Sequence, residues 1–289
     1  MAGEPAKLTI FDLQAKVERG EKIFQVTATD FATAKLVDGA GIDLILIGDS
    51  LGIMALGYPN TVAVTMDEML HHAKSISRAA KRAILVGDLP LGAYHAAPAD
   101  AVNNAMRMVK EGGADVVKLE GGEDVVPMVE AVVRAGIPVM GHIGLTPQLL
   151  SKLGGFQAQG RSAAAGAQLV RDALALERAG CFAIVVEAIP DRVAALISER
   201  LTIPTIGIGA GPQCDGQNLV LHDLAGLLVD RFLPQFGKRY ADVGKTIDAA
   251  LHAFQQDVRE GGFPTAEHSV AMDDAEYAAL LLEVEGHDH

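Results

Sequence analysis

Eight short apolar runs alternate with helical patterns along this chain, and that alternation restricts its fold more than any other feature of the sequence. The runs are "IFQVTATD" (23–30), "DLILIGDS" (43–50), "RAILVGDLP" (82–90), "ADVVKLEGG" (114–122), "PVMGHIGLTP" (138–147), "FAIVVEAIP" (182–190), "IPTIGIGAG" (203–211) and "AGLLVD" (225–230). Continuous apolar strands suit a sheet whose two faces are both covered. The stretches between them predict helices at about 30–40, 65–81, 98–112, 123–136, 163–180 and 191–200. Several of these end on a glycine (Gly39, Gly112, Gly136, Gly180), which tolerates the left-handed conformation that closes a helix. The result is an α/β chain, a (β/α)8 TIM barrel with extra C-terminal helices. A doubly wound open sheet is the second choice.

Residues 1–289 read as a single TIM-barrel domain, with about 235–289 as a C-terminal helical extension and tail. The extension predicts helices at about 241–260 and 273–284, the second opening on the acidic "MDDAEY", and the last residues, "EGHDH", read as unstructured. The glycine-rich "SKLGGFQAQGRS" (151–162) is long for a connection and is a candidate lid. A net charge of −13, with no basic run carrying interleaved aromatics, argues against nucleic acid as a partner. No window approaches the roughly 18 apolar residues of a membrane span, and "MAGEPAKLTIFDL" lacks the order of a signal peptide, so no membrane role and a cytoplasmic location are expected. Two cysteines, Cys181 and Cys214, are too few for a disulfide framework or a thiolate metal site.

Charges fall at the carboxyl ends of strands two to six: Asp49, Asp88, Lys118 with Glu120, His142, and Glu187. A parallel barrel gathers those ends at one mouth, where active sites of this architecture lie. Each residue alone has an ordinary explanation. Asp49 and Asp88 suit turns or caps, Glu120 can bind backbone N–H groups before Gly121-Gly122, and His142 can be a satisfied core histidine. Lys118 and Glu187 are harder to explain that way, because an unpaired charge between apolar neighbours is costly to bury.

Asp49, Asp88 and Glu120 offer hard oxygen ligands from three strands, a choice that suits Mg²⁺ better than zinc. A metal with open positions chelates a 2-oxo acid and stabilises an enolate beside the carbonyl. Glu187 is then the expected base, since an apolar flank lifts a carboxylate toward working pH. Lys118 places positive charge against the enolate oxygen, Ser50 holds the substrate carboxylate, and His142 is a hydrogen-bond donor or proton carrier. The glycines of "GIGAG" (207–211) fit either a phosphate-binding turn or a tight strand-to-helix turn.

"GDSLG" (48–52), "DLP" (88–90), "VKLEGG" (117–122), "GHIGLTPQ" (141–148), "QGR" (159–161), "IGIGAG" (206–211), "DGQ" (215–217) and "EHS" (267–269) closely resemble the ketopantoate hydroxymethyltransferase family. The resemblance implies a (β/α)8 barrel assembled as a homodecamer of two pentameric rings. It implies transfer of a hydroxymethyl group from 5,10-methylenetetrahydrofolate to 3-methyl-2-oxobutanoate, the first step of pantothenate and coenzyme A synthesis. By motif, Asp49, Asp88 and Glu120 match the family's metal site, Ser50 and Lys118 its substrate-binding positions, Glu187 its proton acceptor, and His142 a histidine near the substrate; Asp49 and Asp88 also border the substrate.

The chain departs from the family's pattern at Thr29, where "TATD" stands for the usual "TAYD", and at "EAIP" (187–190) for "ECVP". It has His71-His72 where "YH" is usual and Val270 where "EHSF" ends, and residues 271–289 extend beyond the usual family end. Two other readings compete. One is a Mg²⁺-dependent oxo-acid lyase or mutase of the isocitrate lyase type, whose reactive-cysteine loop of the "KKCGH" kind is missing here. The other is a non-catalytic paralogue that binds the oxo acid; intact Glu187 and Lys118 argue against it.

Overall fold

Eight parallel strands close on themselves in chain order: β1 (Ile23–Thr27), β2 (Leu44–Ile47), β3 (Ile84–Asp88), β4 (Val116–Glu120), β5 (Val139–Gly144), β6 (Ala183–Glu187), β7 (Thr205–Ile208) and β8 (Gly216–Leu219). Closure comes from β8 pairing with β1, with Ile23 opposite Gly216 and Val26 opposite Leu219. The structure is a computed structural model that describes residues 6–153, 155, 157–228 and 233–286. It divides into two units, Met1–Tyr240 and Ala241–His289.

In the first unit the helices are α1 (Ile10–Glu18), α2 (Phe31–Gly39), α3 (Leu51–Met54), α4 (Met66–Ala79), α5 (Pro98–Lys110), α6 (Val126–Arg134), α7 (Leu150–Leu153), α8 (Ala163–Arg178), α9 (Asp191–Arg200) and α10 (Leu221–Ala225). Local chemistry sets their ends. Thr65 starts α4 with a capping box, its hydroxyl accepting from Glu68 N while the Glu68 carboxylate accepts from Thr65 N at 2.8 Å. Burial at Met69, Leu70, Ala73 and Ile76 then puts one face of α4 against the sheet.

Strand alternation separates two apolar layers. Outward residues such as Ile45, Leu85, Val117, Val139 and Ile184 pack under the helices, whereas Leu44, Ile84, Val116, Met140, Ala183 and Ile206 fill the barrel. Each fully buried aliphatic side chain contributes about 1.5–3 kcal/mol, so the larger outer layer supplies most of the cohesion. Leu13 of α1, wholly buried, joins the inner layer. That helix was not predicted, although a Thr9–Asp12 capping box precedes it.

The eighth strand is not where the sequence predicts it. Residues 225–228 of the run "AGLLVD" belong to the end of α10 and the turn after it, and 229–230 lie outside the described residues. The strand is the polar "GQNL". A Cβ at Gly216 would lie 2.7 Å from the Ile23 carbonyl oxygen, so glycine lets this strand approach β1. Asn218 points inward beside a cavity, where an apolar residue is not required.

The second unit contains α11 (Val243–Glu260) and α12 (Asp274–Glu285), within a residue or two of prediction. Val243, Ile247, Leu251, Phe254 and Val258 form an exposed apolar stripe on α11. The predicted unstructured tail "EGHDH" divides: Glu285 ends α12, Gly286 follows it, and residues 287–289 lie outside the described residues. In the predicted lid, 151–153 continue α7, residues 154 and 156 lie outside the described residues, and Gln157, Ala158 and Arg161 line the cavity described next.

Candidate active site

At the carboxyl ends of the strands lies a cavity of about 650 Å³ whose lining includes Asp49, Ser50, Asp88, Lys118, Glu120, His142 and Glu187. All seven residues predicted from the sequence therefore meet in one place. Asp88, Glu120 and Glu187 end β3, β4 and β6, Lys118 and His142 lie within β4 and β5 two residues before their ends, and Asp49 and Ser50 follow β2. Asp49, Asp88, Lys118, Glu120 and His142 are all buried, and the Glu187 side chain is 13% exposed.

The charges are wired together across neighbouring strands. Lys118 Nζ lies 2.8 Å from Asp88 Oδ1 and 3.5 Å from Glu120 Oε1. His142 places Nδ1 3.2 Å from Glu120 Oε1 and Nε2 3.2 Å from Glu187 Oε2. The Asp49 backbone N–H donates to Asp88 Oδ2 at 3.1 Å. Read around the mouth from β6 to β2, the sequence of charge is Glu187, His142, Glu120, Lys118, Asp88, Asp49, and sign alternates at every step except the last.

These surroundings set the protonation states. Burial and nearby Lys118 push His142 down, but the Glu120 charge and hydrogen bonds to Glu120 and Glu187 prevail and lift it to about 9. A cationic His142 has a proton on each nitrogen, so Nδ1 faces Glu120 as an ion pair and cannot accept from Lys118 Nζ, also 3.2 Å away. Burial disfavours the Glu120 carboxylate, yet Lys118 and His142 outweigh it and hold the group at about 2. Burial likewise disfavours the Lys118 ammonium, and Asp88, Glu120 and Asp49 together keep it above the ordinary lysine value. Asp49 differs: burial, followed by repulsion from Glu120 and Asp88, raises it well above the usual carboxylate range.

Burial raises Asp88 as well, so with one ammonium among three carboxyls the Asp49–Asp88 pair resists carrying two negative charges unless further positive charge is supplied. Among the described residues no three His, Cys, Asp or Glu side chains stand as a ready-made metal set. Glu120 is already engaged by His142, Lys118 and the Gln148 backbone N–H. Two hard oxygen donors beside an open cavity fit Mg²⁺, which takes one or two carboxylates and completes its shell from water and substrate.

Backbone detail holds Glu187. Gly144 adopts φ +96°, and a Cβ there would lie 2.3 Å from the Glu187 carbonyl oxygen, so only glycine lets β5 end this close to β6. Ala188, directly after Glu187, is among the described residues the one non-glycine with positive φ, at 47°. Its carbonyl accepts from Gln159 N at 3.0 Å, and its own N–H donates to the Ile208 carbonyl at 2.8 Å.

Thr29 does not line the cavity; it is buried, its hydroxyl donates to Asp30 and its carbonyl meets His72 Nδ1. The glycines of "GIGAG" are explained by a tight turn: Gly209 and Gly211 have φ +65° and +85°, and a Cβ on Gly209 would come within 2.7 Å of the Phe236 ring. Two residues behind the cavity were missed, Tyr94 and Gln148. Gln148 closes "GHIGLTPQ", and a buried-amide role was legible only in its place after a strand end.

Residues 7–266 match the family model described as ketopantoate hydroxymethyltransferase. The 3-methyl-2-oxobutanoate hydroxymethyltransferase of Moorella thermoacetica is 56% identical over 264 residues, covering 91% of this chain and 98% of the relative. That of Oleidesulfovibrio alaskensis is 50% identical over 285 residues, covering 99% and 98%. Among solved structures, phosphonopyruvate hydrolase superposes with a TM-score of 0.59 at 16% identity, covering 96% of this chain and 98% of that one. 2,3-Dimethylmalate lyase gives 0.56 at 16% identity, covering 90% and 92%. The last two likenesses concern the barrel fold. The chain belongs to the ketopantoate hydroxymethyltransferase family.

Proposed function

We propose that this member of the ketopantoate hydroxymethyltransferase family transfers a hydroxymethyl group from 5,10-methylenetetrahydrofolate to 3-methyl-2-oxobutanoate at the barrel mouth, giving 2-dehydropantoate and opening pantothenate and coenzyme A synthesis. The observation that carries the assignment is the placing of Glu187 against His142 at 3.2 Å, in the same cavity as buried Lys118. A base oriented by a cation faces a fixed positive charge across space large enough for both substrates.

Ser50 binds the carboxylate of the oxo acid. A Glu187 carboxylate oxygen takes the proton from C3, and His142, with Nε2 3.2 Å from Glu187 Oε2, orients the carboxylate by charge. Lys118 balances the negative charge that moves onto the carbonyl oxygen. C3 then forms its new bond to the one-carbon unit, an iminium or formaldehyde equivalent; both bonds from that carbon to the folate nitrogens break, one water supplies the hydroxyl, and tetrahydrofolate leaves carrying the proton taken from C3 and one from the water. Asp49 and Asp88, with Glu120 beside them, would hold Mg²⁺, which supplies Lewis-acid polarisation of the oxo acid when bound.

The lyase or mutase alternative loses support from the cysteines: Cys181 and Cys214 are both buried, and neither lines the cavity. A cytoplasmic location accords with the finding that no helix among the described residues is long and apolar enough to cross a membrane. The homodecamer of two pentamers belongs to the same proposal.

The test is deuterium exchange at C3 of 3-methyl-2-oxobutanoate, followed by NMR in D₂O with Mg²⁺ and no folate. The parent protein exchanges and Glu187→Gln loses at least about 100-fold, the low end for a general base. Equal exchange by both would refute the base assignment.

A further inference from the structure

Gln148 has no surface on the cavity, yet it ties together two of the carboxylates that do. It lies in the turn Pro147–Leu149 after β5 and is 2% exposed. Its backbone N–H donates to Glu120 Oε2 at 3.1 Å, and its side-chain Nε2 donates to Asp49 Oδ2 at 3.0 Å and to the Leu89 carbonyl at 2.9 Å. Tyr94, wholly buried in the loop after β3, places its hydroxyl 2.8 Å from Gln148 Oε1. The same oxygen accepts from Glu120 N at 3.0 Å, and the Glu120 carbonyl lies 3.0 Å away.

Counting donors fixes this network. A phenol has one proton, and an amide has a donor end and an acceptor end. Turning the Gln148 amide over would set its oxygen against the Leu89 carbonyl, which only accepts. Nε2 therefore faces Asp49, Oε1 faces Tyr94, and the Tyr94 proton goes to Oε1, its shorter contact. The Leu89 carbonyl fixes the amide orientation and the Tyr94 hydroxyl closes its acceptor end, while Gln148 reaches Asp49 through Nε2 and Glu120 through its backbone N–H.

We propose that Tyr94 and Gln148 are a positioning pair: Gln148 clamps one oxygen of Asp49 and one of Glu120, and the Tyr94 hydroxyl locks the clamp so that the remaining carboxylate oxygens meet cation and oxo acid in one fixed geometry. Neither residue touches substrate. The inference rests on the assignment of Asp49 and Glu120 to the working mouth. Groups that hold a metal-binding carboxylate from behind set affinity for the ion as well as rate, commonly by 10–100-fold.

The experiment compares the parent with Gln148→Met, Tyr94→Phe and the double variant, using two readouts: Mg²⁺ alone titrated calorimetrically, and C3 deuterium exchange resolved into kcat and KM for the oxo acid. Gln148→Met keeps the volume and loses every side-chain hydrogen bond; it weakens Mg²⁺ binding about 10–100-fold and lowers exchange kcat. Tyr94→Phe removes one oxygen atom and gives the same pattern more weakly. The double variant is no worse than Gln148→Met, because Tyr94 acts through Gln148. A lowered melting temperature with parental Mg²⁺ affinity and kcat, or effects of the two substitutions that add, would overturn the pair. Should Gln148→Met not fold, Tyr94→Phe carries the comparison by itself: parental Mg²⁺ affinity and kcat in that variant overturn the proposal. A parent that neither binds Mg²⁺ nor exchanges C3 is a different failure, that of the assigned function.

Discussion

Replacing Lys118 with methionine removes the one ammonium among Asp88, Glu120 and Asp49 while keeping side-chain volume. Lys118 and Asp88 are each 3% exposed and 2.8 Å apart, so water cannot take over the lost interaction. Taking away one partner of a buried pair costs about 3–5 kcal/mol, because the remaining charge stays desolvated. For a barrel of this size that lowers the melting temperature by about 6–20 °C.

The cost depends on pH. In the parent, Glu120 titrates at about 2, below its ordinary 4.5, so its contribution to stability is present above pH 4.5 and is lost as pH falls toward 2. Without Lys118 the main force lowering Glu120 is gone, Asp49 and Asp88, already raised by burial, rise further, and the folded state takes up more protons on acidification. The variant's deficit is therefore largest near pH 7.5 and shrinks toward pH 5. Scanning calorimetry of the barrel transition at both values measures it, and saturating Mg²⁺ narrows the gap at pH 7.5 by restoring positive charge. A variant that melts with the parent at pH 7.5, or whose deficit grows on acidification, refutes the counter-charge role.

Gly144→Ala combines φ +96° with a contact 2.3 Å from the Glu187 carbonyl oxygen, and forcing a side chain there costs about 1–3 kcal/mol before any clash is relieved. The base moves with its strand end, so C3 exchange falls at least about tenfold, corresponding to about 1.4 kcal/mol; parental exchange contradicts the account. Burial holds the Cys181 thiol at about 12, so at pH 8 only about one molecule in 10,000 carries the thiolate, and the residue is 3% exposed. Native protein therefore leaves Cys181 unlabelled by iodoacetamide while guanidinium-unfolded protein reacts, with the peptide mass deciding between them; native labelling at pH 8 shows that the site opens.

The barrel was legible because strands covered on both faces must be apolar throughout, a demand that "LILI" and "AIVV" meet plainly. The eighth strand was not, because "GQNL" borders the cavity on one side and is exposed at Gln217 on the other, so neither face imposes an apolar pattern. The run that was taken instead, "AGLLVD", is apolar for another reason: part of it ends a helix. Helix α1 precedes β1 and so stands outside the strand-then-helix alternation, which is why its stripe of Ile10, Leu13 and Val17 goes unread.

The site divides in the same way. Two-residue spacing places Lys118 and Glu120 on one face, and the structure puts both at the cavity. Spacing suggests that they pair with one another, but Lys118 lies nearer Asp88, at 2.8 Å against 3.5 Å. The cause is sheet register: Asp88 is directly opposite Lys118, and Glu120 directly opposite His142. Register depends on the stagger of a closed barrel, which no local stretch of sequence encodes. It also sets Glu120 beside His142, whose other nitrogen faces Glu187, so the same strand borders both the proposed base and the proposed counter-charge to the oxo acid. Alternation of sign then fails only between Asp88 and Asp49, which is where the proposed Mg²⁺ would add positive charge. Substituting Asp49 therefore relieves repulsion within the protein even as it removes a donor for the cation, which is why stability and Mg²⁺ affinity must be measured separately at this position.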